Sequence, residues 1–323
     1  MNKEIQSLRG IACILVVYFH VIGTANTGLK LPPDSIYRIL SDCLIYIRMP
    51  LFTFLSGYIY AYRRFSSGAL YYVKGKSKRI LMPLICVSVI FAITQALTPG
   101  VNNSYDGELW RLFLYPYAHF WFLQSIFTIF MLIALIDFIS KKNNRVLIVV
   151  ALLSVPFFLF SDKFTELFSF SRTLYLFPFF IFGMLCNIYS AQDIKTSHFK
   201  LISLFFLLLI AFHFHQVSIG VTPNRISLLS LVIGCIGSMI LVKIGIKNTL
   251  LIFVGGFSYS IYLYHVFGTA FSRIFLNRVG VDSIVLNVFF GLLTGVALPI
   301  IFHLYIKKIK YINLALLGSD KCK

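Results

Sequence analysis

The stretch Ser7–His20 reads SLRGIACILVVYFH, and it decides how the whole chain is interpreted. Apolar, small and aromatic residues fill the interval between Arg9 and His20, with no further charge among them. A helix rises ~1.5 Å and turns ~100° per residue, so the two side chains lie ~16 Å apart on nearly the same face. The stretch therefore predicts a membrane helix with a cation near one end and an imidazole deep along one stripe.

The composition of the chain is that of a membrane protein. Of its 323 residues 59% are hydrophobic and only 12% are charged, whereas about a quarter of the residues in soluble proteins are charged. No two of the six cysteines have CxxC spacing. Disulfides and a metal site are therefore not expected, and small buried hydrophobes are the preferred interpretation of the cysteines.

Ten stretches are apolar enough over about 20 residues to be predicted as membrane spans. They extend approximately over residues 5–24, 38–62, 78–97, 119–139, 146–160, 172–190, 199–215, 226–245, 250–274 and 284–306. No internal repeat is found, and no connection is long enough for a soluble domain. Residues 1–323 are thus expected to form a single membrane domain, an all-α polytopic bundle of about ten transmembrane helices.

The distribution of lysine and arginine predicts the orientation of this bundle. With a cytoplasmic N-terminus, 20 of the 29 lysines and arginines lie at the cytoplasmic side, as the positive-inside rule requires. The outer segments hold eight: Lys30, Arg38, Arg111, Lys163, Arg172, Arg225, Arg273 and Arg278. Both termini are then cytoplasmic. The net charge of +18 mostly reflects topology, so no nucleic-acid partner is expected, and the basic segment from Arg63 to Arg79 remains a candidate anion site.

Four ionisable side chains from separate spans are predicted at a comparable height in the outer half of the membrane: His20, Arg48, His119 and His265. Ionisable groups inside spans are costly and are functional hypotheses by default. Structural alternatives stay open for each of them. A histidine can simply donate to a nearby carbonyl, His119 can be an interfacial residue beside Trp121, and Arg48 can form an ion pair with Asp42.

The residue types suggest a chemistry for the stripe on the first helix. An imidazole can take a proton from a hydroxyl near neutral pH, while arginine and lysine bind phosphates. Cations at the cytoplasmic mouth and a base deeper in the bundle suit a long phosphorylated donor such as a coenzyme A thioester. Lys76 and Arg79 lie at the same mouth, although positive-inside anchoring explains them equally well. No Gly-rich phosphate loop, HExxH or GxSxG motif supports nucleotide hydrolysis or proteolysis.

The spacing Arg9–x10–His20 resembles the signature of the acyltransferase 3 family, membrane O-acyltransferases that modify bacterial surface glycans. Further blocks resemble that family in the same order: MPLFTFLSGY (Met49–Tyr58), KSKRILMP (Lys76–Pro83), HFWFL (His119–Leu123) and GFSYSIYLYH (Gly256–His265). The chain departs from the family at two places. Arg48 stands where many relatives have a histidine, and the final HLYIKKIK lacks an acidic residue that many relatives carry.

The resemblance implies a ten-helix enzyme of the bacterial inner membrane that moves an acyl group, usually acetyl, from cytoplasmic acetyl-CoA to a sugar hydroxyl outside. His20 would then be the catalytic base or would carry the acyl group itself. The further catalytic candidates are Arg9, Arg48, His119 and His265. The residues implied to bind the phosphates of the donor are Arg9, Lys76 and Arg79, and those implied to line the substrate site are Ser56, Trp121 and Tyr259.

No metal is expected. The expected partners are membrane lipid and a glycan acceptor, and that acceptor can be a lipid-linked repeat unit. The acyl group can also be succinyl or longer, and the oligomeric state stays open. A transporter, such as a flippase of a lipid-linked sugar, also fits many spans with buried polar groups, although the missing internal repeat argues against it. A membrane subunit without activity would leave the buried histidines and arginine unexplained.

Overall fold

The structure is a computed structural model that describes residues 2–320, and it is built from helices, which contain 76% of the residues. In chain order they are α1 (Lys3–Ile22), α2 (Ile36–Cys43), α3 (Ile45–Tyr60), α4 (Ala69–Lys76), α5 (Met82–Leu97), α6 (Arg111–Leu114), α7 (Trp121–Ile139), α8 (Asn144–Leu159), α9 (Phe170–Ile188), α10 (Thr196–Ser218), α11 (Leu228–Ile244), α12 (Thr249–Gly256), α13 (Ser258–Arg278), α14 (Ile284–Ile306) and α15 (Lys310–Leu317). A π-helical segment, Ser77–Leu81, joins α4 to α5. Residues 2–320 contain no β-strand, so the all-α prediction is confirmed.

Each of the ten predicted stretches contains a helix, but the helices differ in length. Within residues 2–320, seven helical segments are long and apolar enough to cross a membrane, or eight if the bent pair α12 and α13 forms one span. The apolar helices α8 and α11 have only 16 and 17 residues. The polytopic bundle is thus confirmed, whereas the count of ten and the cytoplasmic termini stay predictions. Two cations counted for that orientation, Lys321 and Lys323, lie outside the described residues.

The predicted span over residues 250–274 is not one continuous helix. The chain bends by 83° between α12 and α13, directly after Gly255 and Gly256, and glycine is a poor helix former. A Cβ on Gly255 would lie 1.8 Å from the backbone oxygen of Gln6, so α12 packs directly on the backbone of α1. After the bend, α13 begins at the buried Ser258 and continues past residue 274 to Arg278.

Helix α1 lies in the centre of the bundle, where it packs against α3, α12, α13 and α14. In helix α10, in contrast, only 11% of the most apolar 18-residue stretch is buried inside the protein. Most of its surface is therefore available to lipid. Close backbone contact also joins α3 to α9. A Cβ on Gly57 would lie 1.9 Å from the carbonyl oxygen of Phe180, and such small residues at helix crossings are typical of membrane bundles. The packing therefore surrounds His20 and Arg48 with protein.

Candidate active site

Three histidines predicted from separate parts of the chain meet at one place. His20 lies in the last turn of α1, His119 directly before α7, and His265 in α13. The ring centroids of His20 and His265 are 4.7 Å apart, those of His119 and His265 are 4.9 Å apart, and those of His20 and His119 are 6.0 Å apart. His119 and His265 are buried, while His20 is partly exposed.

The hydrogen bonds of the two buried rings determine which nitrogens carry hydrogen. Nδ1 of His265 lies 2.8 Å from the carbonyl oxygens of both Ile261 and Tyr262, and Nε2 of His119 lies 3.1 Å from that of Leu263. Because a carbonyl oxygen can only accept, these ring nitrogens are the donors. Nε2 of His265 and Nδ1 of His119 are buried without a hydrogen-bond partner in the described chain. Each therefore presents a lone pair close to His20.

The segment before α7 holds His119 through contacts with α13. Ala118 has a φ of 44°, a left-handed conformation that a residue with a side chain adopts only under constraint. The Tyr262 hydroxyl donates to the backbone carbonyl of His119, and the ring of Phe91 meets the imidazole edge-on at 5.6 Å. Helix α7 begins at Trp121, so His119 belongs to this constrained segment and not to the first turn that the sequence predicted.

Arg48 contacts this cluster through an aromatic ring. Its guanidinium carbon lies 3.5 Å from the ring centroid of Phe19, and the Phe19 ring meets that of His20 at 5.1 Å. The side chain is only 5% exposed. Asp42 pairs with Arg38 at 2.9 Å, and across residues 2–320 no acid lies within 4 Å of Arg48. The alternative of an ion pair between Arg48 and Asp42 is therefore wrong.

A cavity of about 640 Å³ opens beside the histidines, on the side of the bundle predicted to face outwards. His20 and His119 line its wall, whereas His265 lies behind them with 0% exposure. Neutral polar side chains and two arginines line the rest of the polar wall. The cavity thus connects one face of the protein to the ring of His20.

The cations predicted for the cytoplasmic mouth form a second cluster near the start of α1. The positive charge of Arg79 acts on both Arg9 and Lys76, and the Lys76 ammonium lies 3.2 Å from the ring centroid of Phe130. The Tyr259 hydroxyl donates to the carbonyl of Arg79 at 2.7 Å. The structure therefore brings the three predicted cations and Tyr259 together, at the opposite end of α1 from His20.

Other predicted residues lie outside the cavity. The Ser56 hydroxyl donates to the Phe52 carbonyl of its own helix at 2.9 Å, and the ring of Trp121 lies 5.1 Å from the guanidinium of Arg172. In the described part of the chain, the cavity wall contains none of Ser56, Trp121 and Tyr259. Their substrate-lining role therefore stays a prediction.

Several residues of the site were missed by reasoning from the sequence. Phe19 directly precedes His20, and Tyr262 lies one helical turn before His265, so their position beside a predicted histidine was an available signal. Asp137 lies inside a predicted span, yet it was not singled out. The structure shows that it is structural, because this buried carboxylate accepts from the Tyr60 hydroxyl at 2.9 Å and pairs with Arg64.

No group of three His, Cys, Asp or Glu side chains in the described part of the chain has the arrangement of a metal site.

Comparison with known proteins identifies the family. The family model described as an acyltransferase domain, that of acyltransferase 3, matches residues 2–304. No curated protein and no solved structure shows a significant match to the chain. Because the family model covers nearly the whole sequence, the protein belongs to the acyltransferase 3 family and is a multi-pass membrane acyltransferase.

Proposed function

We propose that this protein transfers an acetyl group from cytoplasmic acetyl-CoA to a sugar hydroxyl of a surface polysaccharide, or of its lipid-linked repeat unit, at the bacterial inner membrane. One observation carries the proposal. His20 lies on the wall of a cavity and is the partly exposed member of a cluster of three imidazoles. Arg9 lies ~16 Å from His20 along the same helix, and it belongs to a cluster of cations with Lys76 and Arg79.

The residues at the start of α1 fit the charged end of such a donor. Guanidinium and ammonium groups bind phosphate oxygens well, and Arg79 is close enough to repel both Arg9 and Lys76. A polyanion bound among them would relieve that repulsion. These three residues would hold the phosphates of coenzyme A, whose bound thioester supplies an acyl carbon that a hydroxyl oxygen can attack.

His20 acts as the general base in this proposal. The acceptor hydroxyl reaches it through the cavity, and the imidazole takes the hydroxyl proton as the sugar oxygen attacks. The ester C–O bond forms, the thioester C–S bond breaks, and the proton passes from His20 to the leaving sulfur. His20 therefore ends the reaction neutral and ready for the next acceptor.

The neighbours of His20 act through it as positioning residues. Nε2 of His265 is buried without a hydrogen-bond partner in the described chain, and its ring lies 4.7 Å from that of His20. It would therefore accept a hydrogen bond from the second ring nitrogen of His20 once that imidazole has taken a proton. Arg48 binds the face of Phe19 and so holds the ring that flanks His20. Nδ1 of His119 is a further buried acceptor without a partner in the described chain, in the ring that lies 4.9 Å from that of His265.

The test is acyl transfer in isolated membranes, with acetyl-labelled acetyl-CoA and de-O-acetylated surface glycan from cells that carry the gene. The variant His20→Ala should lose glycan labelling by about 100-fold or more, the typical contribution of general base catalysis, at unchanged protein level. The exposed His198, changed to Ala, is the control and should keep wild-type labelling. Undiminished labelling by His20→Ala would exclude the base, and no label with the wild type would favour a transporter.

A further inference from the structure

We propose that the acceptor glycan carries an anionic group, a carboxylate or a phosphate, which binds Arg273 and Arg278 while the reacting hydroxyl lies at His20. The inference rests on the proposed function, because it specifies the acceptor of the same site. Both arginines line the cavity that His20 lines. The cavity therefore combines a base at one position with fixed positive charges at another.

The two arginines lie on α13 towards the end predicted to face outwards. Along a helix, Arg273 and Arg278 lie ~12 and ~20 Å beyond His265. Arg273 is half-buried, and Arg278 is exposed at the last residue of the helix. This separation means that the anionic group and the reacting hydroxyl belong to different parts of one extended acceptor.

The charge of the cavity is unbalanced. Its lining, taken over the described residues, contains no aspartate or glutamate. Between residues 2 and 320, neither Arg273 nor Arg278 has an acid within 4 Å. A guanidinium cannot lose its charge in a protein, so a half-buried one without an acidic neighbour favours a bound anion.

Membrane topology does not explain these two cations. Segments on the outer side of a membrane protein are poor in lysine and arginine, and only eight of the 29 fall there in the predicted orientation. Two of those eight line this one cavity. Their concentration at the wall that leads to His20 indicates selection for a ligand and not for orientation.

The remaining polar wall suits a sugar. Hydroxyl and amide side chains, which can donate to and accept from sugar hydroxyls, line the same cavity: Thr24, Thr27, Thr94, Gln95, Asn102 and Asn103. Some of them are already ordered by hydrogen bonds, as in the contact between the hydroxyls of Thr24 and Thr27 at 2.9 Å. Neutral groups for hydroxyls and guanidinium groups for an anion together describe an acidic glycan.

The experiment uses the full-length protein in phosphatidylcholine nanodiscs. The probe is the de-O-acetylated surface glycan of cells that carry the gene, in three forms: intact, with its carboxyl groups reduced to alcohols, and with its phosphates removed by hydrogen fluoride. Glycan binding is measured without a donor, and transfer is measured with labelled acetyl-CoA. One of the two treatments should weaken binding and transfer by wild-type protein about tenfold or more, the effect of losing a charge-assisted hydrogen bond, and it identifies the anion.

Variants connect that loss to the arginines. The double change Arg273→Gln and Arg278→Gln should weaken binding of the intact glycan about as much as the chemical treatment does. The double change to Lys, which keeps both charges, should retain most of the binding. Arg111→Gln is the control, because Arg111 is an exposed outer cation that does not line the cavity.

Equal binding and transfer of all three glycan forms by the wild type would overturn the inference while leaving the proposed function intact. The same holds if the Gln variants match the wild type on intact glycan, as expected for arginines that contact only lipid headgroups. If wild-type protein labels none of the glycan forms, the proposed function fails, and the inference fails with it.

Discussion

The imidazole ring of His265 lies 4.7 Å from that of His20, although the two residues come from opposite ends of the chain. His265 is fixed by its Nδ1 hydrogen bonds to backbone carbonyls of α13. Its Nε2 has no hydrogen-bond partner among the described residues. A fixed acceptor nitrogen thus lies behind the one histidine of the pair that reaches the cavity.

This relationship predicts that His265 affects turnover and not donor binding. We expect His265→Phe to lower kcat by about tenfold, because the protonated His20 loses the acceptor nitrogen that would stabilise it, with the KM for acetyl-CoA unchanged. His265→Asn, whose amide oxygen can still accept, should recover part of the rate. Steady-state transfer assays measure both constants. A parallel loss in kcat and in folded protein would instead mean that His265 only supports the fold.

Arg48 is predicted to reduce stability while it supports activity. Its burial without an acidic partner costs several kcal/mol, more than the ~2 kcal/mol that a cation–π contact with Phe19 returns. We therefore expect Arg48→Met to raise the thermal unfolding midpoint by about 2 °C or more. Acetyl transfer should fall at the same time, because Phe19 loses the group that holds it beside His20.

Arg38→Met is the matched control for that change. Arg38 makes a partly exposed ion pair with Asp42, and such pairs contribute ~1 kcal/mol or less, so the midpoint should stay unchanged or fall slightly. Thermal unfolding in detergent and the transfer assay are the measurements. A lower midpoint for Arg48→Met would show that the guanidinium has partners that stabilise it.

The basic cluster at the start of α1 predicts a defect specific to the donor. Single changes of Arg9, Lys76 or Arg79 to Gln should raise the KM for acetyl-CoA about tenfold, the effect of one lost charge-assisted contact to phosphate, with kcat little changed. With S-acetylpantetheine, which lacks these phosphates, the variants and the wild type should have similar KM values.

Lys74→Gln provides the control for these variants, since Lys74 is an exposed cation of the same basic segment. It should leave the KM for acetyl-CoA at the wild-type value. If all four variants raise KM equally, the effect comes from the general positive charge of the surface. If Arg9, Lys76 and Arg79 change KM for S-acetylpantetheine as strongly as for acetyl-CoA, they do not bind phosphate.

The bend between α12 and α13 predicts that Gly255 tolerates no side chain. In Gly255→Ala the added Cβ would overlap the backbone oxygen of Gln6, and such overpacking costs about 1–3 kcal/mol or more. The thermal unfolding midpoint and the yield of folded protein should both fall. At the helical Gly75 an added Cβ would have no atom within 4 Å outside its chain neighbours and its own helix backbone, so Gly75→Ala should be neutral or slightly stabilising. Equal midpoints for the two variants would contradict the close packing of α12 on α1.

Much of the protein follows from local features of the sequence. Long apolar segments predict membrane helices because backbone groups in lipid must bond within the segment, and every predicted stretch contains a helix. The Arg9–x10–His20 spacing predicts one face of α1 because helix geometry is regular. Several motif blocks in the same order as in the family also sufficed to indicate the acyltransferase family.

Other features depend on contacts between distant segments. The meeting of His20, His119 and His265 needs α1, α13 and the segment before α7 in one packed arrangement, which sequence spacing does not encode. The alternative of an ion pair between Arg48 and Asp42 could not be decided from the sequence for the same reason. In the structure Asp42, the nearest acid in sequence, bonds Arg38 instead.

The sequence by itself determined the membrane class, the helices and the chemical character of the stripe on α1, because these depend on hydropathy and on the regular geometry of one helix. Only the tertiary structure decided the 83° bend, the tautomers of the buried histidines, and the placement of Arg273 and Arg278 on the cavity of His20. Those features depend on which backbone atoms and side chains approach across helices. Close packing determines that approach, and packing is a property of the whole bundle.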